Sequence, residues 1–174
     1  VKTLVLIHRK NGMRTLVRAL EILVGITPLL VGNAPPNDPR SKGDADIVER
    51  FNHMRDWDGG RLDCRVLVAA AEDYSEGVSF IGVRRLILAD IYVGNETPSA
   101  PRAIQQLVRA IRACSHASLP ERQRRVRVDL FVAVNRNPTA PMSKDSMQLS
   151  LFRTEAESID QYTNYLFKHA VDRD

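Results

Sequence analysis

Residues 65–90 read RVLVAAAEDYSEGVSFIGVRRLILAD and indicate how the chain folds. Two apolar runs, belonging to predicted strands over residues 63–70 and 84–90, enclose a polar turn that contains a glycine. Neither run alternates apolar with polar residues, which is typical of strands buried on both faces of a parallel sheet. The first eight residues, VKTLVLIH, have the same character and predict another buried strand.

Apolar residues at helical spacing connect these strands. They predict helices over residues 13–24, 44–55 and 98–113, with Asp44 as the cap of the second helix. A last helix is predicted over residues 155–170, capped by Thr154, and further strands over residues 27–31 and 125–134. Because strands alternate with helices of about 10–15 residues, we predict an α/β fold with a mainly parallel central sheet.

Length and composition indicate one folded domain. The chain has 174 residues, of which 44% are hydrophobic and 26% charged, and this excludes a disordered tail. No apolar run approaches the roughly 20 residues that span a bilayer, and the first run is too short for a signal peptide. Cys64 and Cys114 lack metal-site or disulfide-framework spacing, so we expect an intracellular location in cytoplasm, nucleus or virion. Because the chain begins with Val1, we expect it to be part of a longer protein.

The chain is mildly basic. The formal net charge is +4, and the 25 basic residues are 20 Arg and 5 Lys. Arginine presents a planar fork that suits phosphate, which permits a nucleic-acid partner. A GC-rich coding bias explains the same excess, and composition does not decide between the two.

Ligands of parallel α/β sheets bind beyond the carboxyl ends of the strands. In this chain the segments that follow the strands are residues 9–13, 71–80 and 91–100. The loop AEDYSEGVSF (71–80) has a glycine that permits close approach to a phosphate, although a solvated turn has the same composition. Gln105, Arg109 and Arg112 lie on one face of a predicted helix. Such a stripe is suited to clamping a polyphosphate, and its alternative is a solvated basic face.

Taken together, residues 65–90 and 104–128 resemble motifs V and VI of superfamily 2 helicases. The most similar branch comprises the poxvirus-type nucleoside triphosphatases and early transcription factor ATPases of large DNA viruses. Their motif V ends E-G-I-S-F and their motif VI reads Q-x-x-G-R-A-I-R, followed by S-H. The corresponding residues here are Glu76-Gly77-Val78-Ser79-Phe80, then Gln105, Arg109-Ala110-Ile111-Arg112 and Ser115-His116. Residues 2–20 occupy the place of motif IV, Phe51-Asn52 matches an F-N pair before motif V, and the resemblance covers residues 2–134.

The resemblance implies the second RecA-like lobe of an ATP-dependent helicase or translocase over residues 1–150, with an appended helix over residues 151–174. The sequence contains no Gly-Lys pair for a phosphate loop and no Asp-Glu pair for Mg²⁺, both of which belong to the first lobe. We therefore expect the chain alone not to hydrolyse ATP. The implied protein partners are that first lobe, in the same or a separate chain, and a transcription or nucleoprotein assembly. The implied ligands are single- or double-stranded nucleic acid and ATP, whose Mg²⁺ is held by the first lobe.

The resemblance also assigns roles to individual residues. Arginine fingers of this kind stabilise charge on the transferred phosphoryl group. The implied catalytic fingers are Arg109 and Arg112. The implied ATP-binding residues are Gln105, Glu76, Gly77 and Ser79, and the implied nucleic-acid-binding residues are Arg9, Asn11, Gly12, Ala71 and Ser75. For His116, a cap at the carboxyl end of the motif VI helix is favoured over docking near the nucleotide, because its partial charge suits the helix dipole.

Two departures from the family pattern leave a second hypothesis open. Val108 replaces the glycine before the first motif VI arginine, and Ala71 stands where many relatives have a Thr or Ser hydroxyl. Both changes favour a catalytically inactive lobe kept as a nucleic-acid-binding or structural module. A flavodoxin- or Rossmann-type enzyme ranks last, because HRKNGMR (8–14) after the first strand has only one glycine.

Overall fold

The computed structural model describes residues 1–34, 38–54, 65–74, 78–90, 108–112, 114–137 and 139–169. Five strands form one sheet in the order β2-β3-β1-β4-β5. The strands are β1 (Thr3–Ile7), β2 (Leu29–Val31), β3 (Val66–Ala70), β4 (Arg85–Leu88) and β5 (Arg127–Leu130). Every pairing between them is parallel, which confirms the predicted sheet.

The main helices follow the order that the sequence predicts, and the first two pack on opposite faces of the sheet. They are α1 (Met13–Ala19), which widens into a π-helical turn over Leu20–Val24, α2 (Asp44–His53) and α3 (Lys144–His169). The predicted helix over residues 98–113 is described only from residue 108, where residues 108–111 form a helical turn. None of the described helices is both long and apolar enough to cross a membrane.

The core has two layers because alternate strand residues point to opposite faces of the sheet. On one face, Leu4, Leu67 and Leu86 are fully buried and share a cluster with Phe51 of α2. On the other face, Val5, Val68 and their neighbours pack beneath Met13 of α1. The central strands are therefore covered on both sides, which is why their sequences are continuously apolar.

The predicted cap of α2 is wrong. Gly43 is the N-cap residue, with a left-handed φ of 94°. Asp44 is instead the first residue of the helix, and its carboxylate accepts bonds from the Gly32 amide (2.8 Å) and the Tyr74 hydroxyl (3.3 Å). These bonds attach the start of α2 to the ends of β2 and β3.

The last helix begins earlier than the sequence predicts. The Ser143 hydroxyl accepts a bond from the Ser146 amide at 3.1 Å, which is the arrangement of an N-cap. Thr154 lies inside the helix and its hydroxyl donates to the Ser150 carbonyl at 3.2 Å, so it is not the cap. The predicted boundary between residues 150 and 151 consequently falls within α3, because the helix already starts at Lys144.

Candidate functional site

A network of ion pairs and hydrogen bonds joins the carboxyl ends of three strands. The Arg9 side chain, just after β1, donates from Nε to the Gly32 carbonyl at 2.6 Å. Its guanidinium also pairs with Asp73 and lies 3.6 Å from Glu72, both of which follow β3. Arg9, which the resemblance assigns to nucleic acid, thus has its charge compensated by two neighbouring carboxylates.

Asp90 extends this network to the end of β4. Its carboxylate accepts the His8 amide at 3.0 and 3.1 Å and the Asn11 side-chain amide at 2.7 Å. Burial raises the pKa of Asp90 above its usual value, although the bonds from Asn11 and His8 act in the opposite direction. Burial likewise raises the pKa of Asp73, against the effect of Arg9. We call Arg9, Asn11, Glu72, Asp73 and Asp90 the strand-end network.

We expect Asp90 to titrate above its usual pKa of 3.8 and Asp129 to titrate below it. Bonds from Arg127 and Arg85 lower the pKa of Asp129. A raised pKa in the folded state means that the stability contributed by Asp90 is lost as pH rises through that pKa, whereas that of Asp129 is lost as pH falls through its lowered pKa. Carboxyl-carbon NMR titration measures both midpoints, and Asp90→Asn should remove only the first dependence. An Asp90 midpoint at or below 3.8 contradicts the expectation.

Phe80 anchors the segment that leads into β4. This side chain is fully buried, with its ring centre 6.4 Å from that of Phe51 in an edge-to-face arrangement and 6.3 Å from that of Tyr74. The Phe80 amide donates to the Arg109 carbonyl at 3.2 Å. The core therefore holds residues 78–80 against the helical turn that contains Arg109.

The structure brings together Ser79 and Arg112, which the resemblance places in motifs V and VI. The Arg112 guanidinium donates to the Ser79 hydroxyl at 2.7 Å, and Arg112 is exposed to solvent. Arg109, one turn earlier, is half-buried. We call the contact between Ser79 and Arg112 the Ser79–Arg112 pair. The Ser79 hydroxyl thus fixes the position of the Arg112 cation on the surface.

The residues after Arg112 fasten this region to the entrance of β4. The Arg112 carbonyl accepts bonds from the Ser115 amide (3.0 Å) and hydroxyl (2.7 Å), and the Ser115 carbonyl accepts the Gly82 amide at 2.8 Å. His116 is buried, with Nε2 at 2.6 Å from the Val83 carbonyl and Nδ1 at 2.8 Å from the Ser115 hydroxyl. Its interpretation as a helix cap is therefore wrong, because Ser115 bonds the helix end and His116 bonds the segment before β4.

Other predicted site residues have different positions. Ala71 does not fit its assignment to nucleic acid, because it is 2% exposed and its amide donates to the Ile7 carbonyl at 3.0 Å. Gly12 has a left-handed φ of 92° and directly precedes α1, and Val108 is 41% exposed. The remaining predicted residues, Ser75, Glu76, Gly77 and Gln105, lie outside the described residues. Among the described residues, no cluster of His, Cys, Asp and Glu is suited to a metal ion.

Comparison with known proteins identifies a similar fold. No family model and no curated protein matches the chain. A crystal structure described as the C-terminal part of the Fun30 ATPase domain is similar over 92% of this chain and 48% of its own, with a TM-score of 0.50 and 12% identity. This chain thus spans about half the length of that structure. The likeness shows the fold, an α/β RecA-like lobe, which agrees with the fold class that the sequence predicts.

Proposed function

We propose that this lobe supplies an arginine finger to an ATP site that a second RecA-like lobe completes, within a nucleic-acid helicase or translocase. The Ser79–Arg112 pair is the observation that carries the proposal. An exposed guanidinium held by a hydroxyl from motif V is suited to a ligand that arrives from outside the lobe. The motif resemblance, including its large-DNA-virus branch, supports the same assignment.

The chemistry of phosphoryl transfer explains why such a residue is useful. Negative charge develops on the phosphate oxygens and on the leaving group as the terminal phosphoryl group is transferred. A guanidinium has five N–H donors in a planar fork, so Arg112 can keep its bond to Ser79 and still donate to phosphate oxygens. In this proposal Arg109 is a second cation, and Mg²⁺ is held by acidic residues of the other lobe.

Nucleic acid is the proposed second ligand, bound across both lobes. In this lobe the strand-end network compensates the charge of Arg9 and engages Asn11 with Asp90. We therefore propose that backbone groups near Gly12, rather than these two side chains, contact the strand in this region. The net charge of +4 favours such a partner through counterion release.

ATP hydrolysis by the longest natural chain that contains this lobe tests the proposal. We expect hydrolysis that single-stranded nucleic acid stimulates, and none from the 174-residue chain alone. The control is the same measurement with a substitution in the phosphate loop of the first lobe, which should abolish the activity. Unstimulated background hydrolysis in a chain with an intact phosphate loop contradicts the motor function.

The burial of Ala71 favours a second candidate, an inactive lobe retained for binding. A methyl group replaces the hydroxyl that many relatives have here, and it packs into the core. This alternative predicts nucleic-acid binding whose affinity falls steeply as the salt concentration rises. It also predicts that no natural chain containing the lobe hydrolyses ATP. Binding that salt does not change would contradict it.

A further inference from the structure

Asn52, at the end of α2, makes two hydrogen bonds to the backbone on either side of Phe80. Its side-chain Nδ2 donates to the Ser79 carbonyl at 2.9 Å, and its Oδ1 accepts the Ile81 amide at 2.8 Å. An asparagine is suited to this because its amide carries a donor and an acceptor side by side. The bonds are of the kind that a neighbouring strand would make, so they fix the backbone of residues 79–81.

Lys2 in turn holds Asn52. Lys2 is 3% exposed, and its ammonium donates to the carbonyls of Asn52 (3.1 Å) and Met54 (3.3 Å). These carbonyls lie at the carboxyl end of α2, where a cation interacts favourably with the helix dipole. The ammonium also lies 4.6 Å from the centre of the Phe51 ring. The backbone of Asn52 is therefore fixed at the same point from which its side chain reaches Ser79.

We propose that Asn52 is a positioning residue for Arg112, acting through the backbone of Ser79. The sequence of contacts runs from Lys2 to Asn52, from Asn52 to the Ser79 backbone, and from the Ser79 hydroxyl to the Arg112 guanidinium. Asn52 itself touches no nucleotide in this proposal. The inference rests on the proposed function in one respect only, namely that the positioned guanidinium serves ATP hydrolysis.

Positioning of this kind affects turnover more than binding. A finger contributes chiefly in the transition state, where a displacement of about 1 Å costs on the order of 10²-fold in rate. Without the Asn52 amide, residues 79–81 keep the buried Phe80 as an anchor but lose the two bonds that set the orientation of Ser79. Ground-state ATP affinity depends less on that orientation. We therefore expect the defect in kcat rather than in KM.

The kinetic test uses the full natural chain with Asn52→Ala, Arg112→Ala and the double variant. Asn52→Ala should lower kcat by about 10- to 10²-fold, with KM for ATP within about twofold, because the two lost bonds no longer fix the orientation of Ser79 and so displace the guanidinium. The double variant should be no slower than Arg112→Ala alone, because Asn52 acts only through Arg112. Independent, multiplying effects would overturn the proposal. Asn137→Ala is the matched control, since among the described residues its side chain bonds to Thr139 of the same loop.

NMR of the 174-residue chain tests the positioning without any activity. The side-chain Nη1–H signal of Arg112, the group that donates to the Ser79 hydroxyl, should shift in Asn52→Ala and in Ser79→Ala, and it should not shift in Asn137→Ala. Asn52→Asp retains the acceptor for Ile81 but not the donor to Ser79, so it should give an intermediate shift. An unchanged Arg112 signal in Asn52→Ala overturns the proposal. If the Arg112 signal shifts but the wild-type full chain hydrolyses no ATP, the positioning is supported and the proposed function fails.

Discussion

Gly32→Ala is expected to lower the free energy of unfolding by about 2–5 kcal/mol, the largest single effect on stability that we predict. Gly32 follows β2 with a left-handed φ of 74°, a conformation that costs an L-residue with a side chain about 1–2 kcal/mol. A Cβ here would also lie 2.5 Å from the Cβ of Ala70 and 3.1 Å from the Tyr74 ring. Overpacking against such neighbours typically adds about 1–3 kcal/mol.

Comparison with Gly43→Ala separates the cost of overpacking from the cost of the left-handed backbone. Gly43 has a similar left-handed φ of 94°, but a Cβ there would meet nothing within 4 Å. We expect this variant to lose only about 1–2 kcal/mol. Urea denaturation of both variants and the wild type measures the difference. Equal losses at the two glycines would mean that the packing of the β2 end against Ala70 is not as close as the structure indicates.

The sequence was sufficient to predict the sheet, because a strand that is covered on both faces has a distinctive, continuously apolar sequence. A run such as VLVAA, in which no residue is polar, can be buried only where both faces are covered, and a parallel sheet between helices provides that. The same reasoning fails at the helix ends. Asp44 has the residue type of a cap, but the Gly32 amide and the Tyr74 hydroxyl compete for its carboxylate, and these partners are distant in sequence.

The sequence indicated candidate residues for the site but not how they are arranged. Motif resemblance indicates Ser79 and Arg112 separately, whereas their contact depends on how Phe80 packs between Phe51 and Tyr74. Asn52 carried a signal, the F-N pair before motif V, but nothing in that pair indicates that the amide bonds Ser79 and Ile81. Contacts between segments follow from the folded backbone, and spacing within a segment does not encode them.

Arg112→Ala is expected to lower kcat for ATP hydrolysis about 10³-fold in a natural chain that contains both lobes, because arginine fingers contribute about 10³–10⁵ in rate. The free energy of unfolding should change little, since Arg112 is exposed and the lost bond to Ser79 is worth about 0.5–1.5 kcal/mol. Initial-rate kinetics and thermal unfolding on the same preparations separate the two effects. A kcat within about threefold of wild type, where about 10³ is expected, would exclude Arg112 as a finger.

Two further variants decide what the guanidinium contributes. Arg112→Lys keeps the positive charge but lacks the planar fork, so it cannot hold Ser79 and a phosphate oxygen in the same fixed geometry. We therefore expect it to resemble Arg112→Ala in kcat, while a simple charge effect would restore most of the activity. Arg153→Ala removes an exposed cation from α3 and controls for net charge, and it should leave kcat unchanged. A loss confined to Arg112, and not rescued by lysine, would assign the effect to the geometry that the Ser79 hydroxyl defines.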